Sequence, residues 1–417
     1  MLTIAWRDEY DAELILFDLW LNNLEQFIKK YQKMKILHCC LSNFYIDGFN
    51  YQENMLVREH VRAGHEVLVL ASTENYNAQG QLSYSVPGRY RGNDGAEVLR
   101  LPYRRLGPHA LMKKIRAYPR VYRQLRIAKP DVIMFHGTCA WELLTVLRYK
   151  KNNPSVKLYV DSHEDFNNSA RSFISKNILH YLFYRSIFRK SIPYVEKVLC
   201  ISTETMDFIG GFYGCPKDKM EYFPLGGVIF DDATHRANRV DVREKYEIPP
   251  DTLVFLQSGK FDKKKKLTEA LEAFQKIPYA ENVQYLIAGV LQDDVKAEVE
   301  ALLAKDDRIR FLGWKKAQEL MQLLCAADVY VQPGSQSATL QNSICCRCAV
   351  MVDDVPSHHP FVKGNGWMVH GAEALVRAFD AAIHAFQEGC LEQMRARSLS
   401  IARQLLDYEK MAQRLTS

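Results

Sequence analysis

Five lysines crowd one stretch of this chain, Ser258-Gly259-Lys260-Phe261-Asp262-Lys263-Lys264-Lys265-Lys266, between the apolar run LVFLQ and a helical pattern. Ammonium groups at a strand end, beside the unpaired N–H groups of a helix start, are what a diphosphate needs. The alternative is a solvated charge run, and the crowding onto one loop beside Gly259 argues against it. A second strand-to-helix turn is rich in small and hydroxylated residues: Gln332-Pro333-Gly334-Ser335-Gln336-Ser337-Ala338-Thr339-Leu340-Gln341-Asn342. Exposed amides there suit a phosphate, and the Gln341 or Asn342 side chain suits ribose or sugar hydroxyls. The alternative is a plain N-capped helix. Neither stretch holds a Walker lysine or a GxGxxG, so ATP and nicotinamide readings lack their fingerprints.

The first half offers fewer groups. His163, in Tyr159-Val160-Asp161-Ser162-His163-Glu164-Asp165, follows an apolar run, and His136 in MFHG does the same. A lone histidine is more often a satisfied core or surface residue, so strand-end placement is the argument for function. Gly48, after Asp47, permits close backbone approach to a ligand, with an ordinary turn as the alternative.

The elements that must position these groups alternate along the chain. KILHCCL, HEVLVLAS, DVIMFHG, KLYVDSH and KVLCIS read as strands separated by helical patterns. A second series follows: LVFLQSG, VQYLIAG, RIRFLGW, DVYVQPG and AVMVDD, again with helices between. Such alternation predicts α/β architecture with parallel sheets covered on both faces, whose ligands sit at the carboxyl ends of the strands. The chain has 417 residues, 47% hydrophobic and 25% charged. That is a globular composition too long for one core. The boundaries read as an appended helix at 1–33, Rossmann-like domains at 34–228 and 229–390, and a C-terminal helix at 391–417. Met34 looks like a natural start, with the first 33 residues dispensable.

The net charge of +6 suits an anionic partner but does not by itself point to nucleic acid. Cysteines lie mostly in apolar runs, and CCxC at Cys345, Cys346 and Cys348 is not a zinc knuckle. Reduced, buried thiols and no metal are expected. No run reaches about 18 uncharged apolar residues, so no spanning helix is predicted. Acidic residues precede the first apolar run, so no signal peptide is predicted either. Residues 104–129 carry nine basic residues and no acid, interleaved with Leu111, Ile115, Tyr118 and Val121. A second patch, ISKNILHYLFYRSIFRK, mixes aromatics with Arg185, Arg189 and Lys190. Both fit a surface for anionic lipid headgroups, the alternative being a solvated helix face over core aromatics. No aromatic–basic module for nucleic acid accompanies them. The expected location is the cytoplasm, docked on the inner face of the cell membrane.

Taken together, these segments resemble the retaining GT-B glycosyltransferases of family 4, over about residues 34–400. MKILHCC with REHVRAGHEVLVL is similar to that family's opening, and KVLCISTET and YFPLGGV to its segments before the domain seam. SGKFDKKKKLTEALEAF sets Lys260 on the family's Arg and Lys265 on its Lys. LIAG, RFLGW, ELMQLLCAADVYVQPGS and ICCRCAVMV follow in order. The resemblance implies two Rossmann-like domains facing across a cleft and a nucleotide-diphospho-sugar as substrate, with no cofactor. Lys260 and Lys265 would neutralise the diphosphate. Ser335, Gln336, Ser337, Ala338 and Thr339 would present amides to phosphate and sugar. The base would lie on Gly313–Trp314. His163 would orient the sugar or support positive charge at its anomeric carbon.

The sequence also departs from the family. Its paired glutamates are missing: the second falls on Asn342 or Gln341, the first within Gly334–Gln336, and Arg347 and Ala349 replace a usual Gly and Pro. The expected reaction moves a sugar from a UDP- or GDP-linked donor to a lipid-linked or polysaccharide acceptor, as in capsule or O-antigen assembly. A non-catalytic partner subunit of a glycan-assembly complex and a nucleotide-sugar epimerase are the alternatives.

Overall fold

A computed structural model of the chain describes residues 33–76, 81–166, 168–279 and 281–417. The amphipathic helix expected at 1–33 lies outside the described residues but for Lys33. The chain divides into two compact units. The first comprises residues up to Cys200, Thr205–Glu221 and Glu409–Ser417, and the second Ile201–Glu204 and Tyr222–Tyr408.

The first unit is built on β1 (Lys35–Cys40), β2 (Glu66–Ser72), β3 (Glu74–Tyr76), β4 (Leu82–Tyr84), β5 (Gly88–Arg91), β6 (Glu97–Leu101), β7 (Val132–Phe135), β8 (Lys157–Ser162), β9 (Val198–Cys200) and β10 (Met220–Tyr222). Its main sheet runs β10-β9-β8-β7-β1-β2-β6-β5, while β3 and β4 form a separate hairpin. β1 pairs in parallel with both β2 and β7. β5 is antiparallel to β6, an edge that the strand–helix alternation does not signal. Side chains of β1 alternate between two cores, Leu37 and Cys39 on one face, Ile36 and Cys40 on the other. Helices must therefore cover both faces.

The second unit repeats the plan with β11 (Leu253–Phe261), β12 (Val283–Leu291), β13 (Ile309–Phe311), β14 (Val329–Gln332), β15 (Ala349–Asp353) and β16 (Gly366–Val369). Their order is β13-β12-β11-β14-β15-β16, with every adjacent pair parallel. Leu253 and Phe255 enter one core and Val254 and Leu256 the other. Asp328 fastens the amino ends of the central strands. Its carboxylate accepts from Arg239 and Arg243 at 2.7 Å each and from the Val254 amide at 2.9 Å.

In each sheet the strand order reverses beside the first strand, at β1/β7 and at β11/β14. Those are the switch points where ligands enter a doubly wound sheet. All ten cysteines are free thiols; Cys139 is half-buried, Cys390 exposed and the others buried.

β11 and β12 stay paired to their last residues, Gly259 opposite Gly289. A Cβ on Gly289 would lie 1.9 Å from the Gly259 carbonyl oxygen. Gly289→Ala is therefore expected to cost about 1–3 kcal/mol in urea unfolding. Gly88→Ala, where a Cβ meets nothing within 4 Å, should be near neutral by the same measurement.

Candidate active site

In the second unit, pairing with β12 carries β11 past the glutamine where the apolar run stops, so Lys260 is the penultimate strand residue and is exposed. Asp262 follows, then a single 3-10 turn at Lys263–Lys265 and the helix Leu267–Phe274. Lys265 does not point free into solvent. Its Nζ donates to the Ser335 carbonyl at 2.9 Å and the Gln336 carbonyl at 2.8 Å. The loops after β11 and β14 are thus clasped together. The Ser335 amide returns a bond to the Lys264 carbonyl at 2.8 Å. This approach demands glycine at 334, where a Cβ would fall 2.2 Å from the Lys264 oxygen. Behind the loop, Gln257 donates to the Lys265 carbonyl at 3.1 Å and accepts from the Tyr285 hydroxyl at 2.7 Å.

Burial lowers the Lys265 pKa, opposed by the Asp262 carboxylate. An ammonium has three N–H bonds; the clasp uses two and leaves one for an anion. Lys266 turns away to pair with Asp353 at 3.3 Å.

Along the β14 loop, Ser335, Gln336 and Ala338 are exposed, and Ser337 Oγ accepts from the Thr339 amide at 3.3 Å. The Gln341 amide nitrogen donates back to the Ser337 and Ala338 carbonyls, both at 3.2 Å. Asn342 Oδ1 lies 3.0 Å from where Gly227 would carry a Cβ. Gln336 Nε2 meets the Ser357 hydroxyl and donates to Glu204 Oε1 at 3.1 Å. Burial raises the Glu204 pKa, but its own amide and the Ser357, Ser202 and Thr203 hydroxyls outweigh it, so the carboxylate is stabilised. A carboxylate thus stands beside this loop, supplied by the ISTE segment; nothing in the sequence spacing links positions 204 and 336. Gly313 takes φ +69°. Its carbonyl accepts from the Gly289 amide at 2.9 Å, and Trp314 beside it is 62% exposed.

In the first unit, Gly48 has φ +79° in the exposed turn after β1, where an L-residue is strained. His163 follows β8. Its Nε2 lies 3.7 Å from Asp161 Oδ1 and 3.9 Å from Glu53 Oε1, within ion-pair range but without a hydrogen bond. Burial alone would lower the His163 pKa. The Asp161, Glu53 and Glu164 carboxylates overcome it and raise the value to about 9, so the ring is an imidazolium at neutral pH. Glu164 closes the turn by accepting from Ser162 Oγ at 2.5 Å and from the His163 amide at 3.0 Å. His136 follows β7, and its Nδ1 lies 2.5 Å from Asp161 Oδ2. The Gly137 amide donates to the same carboxylate at 2.6 Å. Asp161 and Glu53 are the groups that reading for histidines and lysines passes over.

These features sit on a recognised pair of domains. Residues 54–226 match the family model described as Glycosyltransferase Family 4, and residues 238–390 match Glycosyl transferases group 1. The chain is a glycosyltransferase composed of these two domains. A search of curated proteins found no match to this sequence. Among solved structures, Anabaena HepE in complex with UDP has 14% identity and a TM-score of 0.62, over 91% of this chain and 98% of that one. WaaG, a glycosyltransferase involved in lipopolysaccharide biosynthesis, has 15% identity and a TM-score of 0.58, over 91% and 98%. An E. coli structure described as trehalose-6-phosphate bound with UDP-2-fluoro glucose has 11% identity and a TM-score of 0.60, over 92% and 99%. At such identities the likeness concerns the fold, two Rossmann-like α/β domains of GT-B type.

The His163 imidazolium has a thermodynamic consequence. Its pKa is raised in the folded state, so its stabilisation is complete below about 6.5 and is lost as pH rises through about 9. Urea midpoints of the wild-type protein are expected to fall across that window relative to those of His163→Gln, whose profile should be flatter.

Proposed function

We propose that the chain is a retaining hexosyltransferase that takes a sugar from a UDP- or GDP-linked donor and delivers it to a hydroxyl of a lipid-linked or polysaccharide glycan, as in capsule or O-antigen assembly. The observation that carries the donor half is the clasp at the β11/β14 switch point. There Lys265, with one N–H to spare, is joined to the loop of residues 335–339, and Lys260 stands exposed near the end of β11. The Ser335 and Thr339 amides are already engaged, which leaves those of Gln336, Ser337 and Ala338 to this role. Positive charge fixed there before the reaction stabilises the departing diphosphate without later reorganisation. Gly259 keeps that strand end bare, and Gln341 and Asn342 shape the start of the following helix. Trp314, exposed next to Gly313, is assigned the base. The chain uses no cofactor in this reading.

In the first unit, Gly48 is assigned to close backbone approach by the acceptor or a phosphate. His163 is assigned the transferred sugar. As an imidazolium it donates to a hydroxyl or phosphate oxygen and repels a cationic carbon, which favours orientation over support of positive charge. The neutral Gln341 and Asn342 replace carboxylates on this reading, and Glu204 is placed to restore one negative charge beside Gln336. That favours an active enzyme over a non-catalytic subunit.

The lipid-linked acceptor is supported by two segments of the first unit. Lys113 and Arg116 are tied to Glu74 at 2.9 Å each, and Tyr118 and Val121 are core. Arg105, Lys114, Arg120, Arg123, Arg126 and Lys129 remain exposed. The helix Ile174–Tyr184 packs on this region through the Tyr184 hydroxyl and Lys114 carbonyl. Phe173, Ile174 and Leu182 are 78%, 68% and 61% exposed. Among the described residues no helix is long and apolar enough to cross a membrane. Bare apolar side chains beside cations suit attachment to the cytoplasmic surface of the membrane.

Thermal-shift measurements with UDP, GDP, ADP and their sugars are expected to show stabilisation by one nucleotide, lost in Lys260→Ala/Lys265→Ala. Equal stabilisation of the double variant would remove the donor site. Co-sedimentation should show binding to phosphatidylglycerol vesicles but not to phosphatidylcholine, weakened about tenfold or more by Phe173→Ser/Ile174→Ser. Lipid-independent binding would remove the membrane half.

A further inference from the structure

A file of buried side chains runs from the carboxyl ends of the first unit's strands to the end of the chain. Asp161 Oδ2 lies 2.5 Å from His136 Nδ1. His136 Nε2 lies 2.9 Å from His38 Nδ1, and His38 Nε2 lies 2.9 Å from His60 Nδ1. His60 Nε2 lies 3.1 Å from the carbonyl oxygen of Ala412, in the helix Tyr408–Thr416. The four side chains are each 1% exposed or less. The nitrogens meet in line rather than converging on a point. Among the described residues no group of three or more could hold a metal ion.

Counting protons along the file decides its charge. Each of the four contacts needs one hydrogen, and three neutral imidazoles own only three. At the far end stands a carbonyl, which accepts and never donates. His60 must therefore carry hydrogen on Nε2, which leaves its Nδ1 to accept from His38 Nε2–H. His38 Nδ1 then accepts from His136 Nε2–H. The contact between His136 Nδ1 and Asp161 needs a fourth proton, and placing it on Nδ1 makes an imidazolium against a carboxylate.

We propose that His60, His38 and His136 are positioning residues for the strand-end site: the Ala412 carbonyl fixes the direction of every hydrogen bond in the file and so holds one extra proton beside Asp161, keeping that carboxylate ionised in front of His163. The surroundings agree. Asp161 also accepts from the Gly137 amide at 2.6 Å. Burial would raise its pKa, but His136 and His163 hold it well below the usual range. Cys40 and Cys200, which also face it, are pushed up by burial and stay neutral. Glu53 and Glu164 act on His163 rather than on the file. Burial drives His38 down, and His60 to about 4 with His65 nearby, so the charge does not rest on either ring.

The proposal deepens the reading of His163 as a site residue and rests on it for that role. Its test reads the protons directly and needs no assay of activity, so the two can fail separately. The full chain, labelled with 15N-histidine and assigned by single substitutions, is read by long-range proton–nitrogen correlation near neutral pH. In the wild-type protein, His136 is expected to show both nitrogens protonated, and His38 and His60 a protonated Nε2 with a bare Nδ1. His60→Phe removes two contacts, so two neutral rings then suffice: His38 should switch its proton to Nδ1 and His136 should lose its second proton. His60→Gln can accept from His38 and donate to Ala412, and should keep the wild-type pattern. A bare nitrogen on wild-type His136, or the same pattern in both variants, overturns the proposal. Should His60→Phe fail to fold, the wild-type and His60→Gln spectra still decide it.

Discussion

Both sheets bury their two faces, and that constraint governs where polar chemistry can occur. A parallel strand packed on either side has no face to offer a ligand, so polar groups that act must leave from the strand ends. A crevice opens there where successive crossovers run in opposite directions. β1/β7 and β11/β14 are such places, and the groups of interest gather at each.

The two ends are equipped differently. At β11/β14 the charge is cationic, near the surface and organised by backbone: one ammonium joins two loops, and a glycine lets them touch. This arrangement suits a large, strongly hydrated anion, which needs several donors already in place. At β1/β7 the charge is balanced and deeply placed, with carboxylates and imidazoles set against one another in a dry interior. There a ligand would meet a directional hydrogen-bonding group whose protonation has been settled by its neighbours.

Much of this was legible in the sequence. Short apolar runs bounded by glycine and helical patterns mark nearly all the central strands, because fully buried strands carry no polar alternation to confuse the reading. The lysine loop and the small-residue turn were visible because their residues are contiguous. The edge strands β5 and β16 were not, since GRYR and GWMV are too exposed or too mixed to read as strands. The clasp of Lys265 was hidden because its acceptors are carbonyls, which every residue owns. Glu204 beside Gln336 and His60 beside His38 were hidden for another reason. These partners are brought together by the crossovers, and no spacing along the chain reports it.

One feature lends itself to practical use. Of the ten thiols, eight are buried, and Cys139, half-buried, has its sulfur against the Tyr213 hydroxyl at 3.5 Å. Cys390 alone is exposed, in the short connection between the helices Ala372–Gln387 and Leu391–Ile401. A maleimide dye or spin probe therefore has one ready address on the native molecule. The natural sequence already carries its own handle for following the second unit by fluorescence, with no cysteine to add or remove.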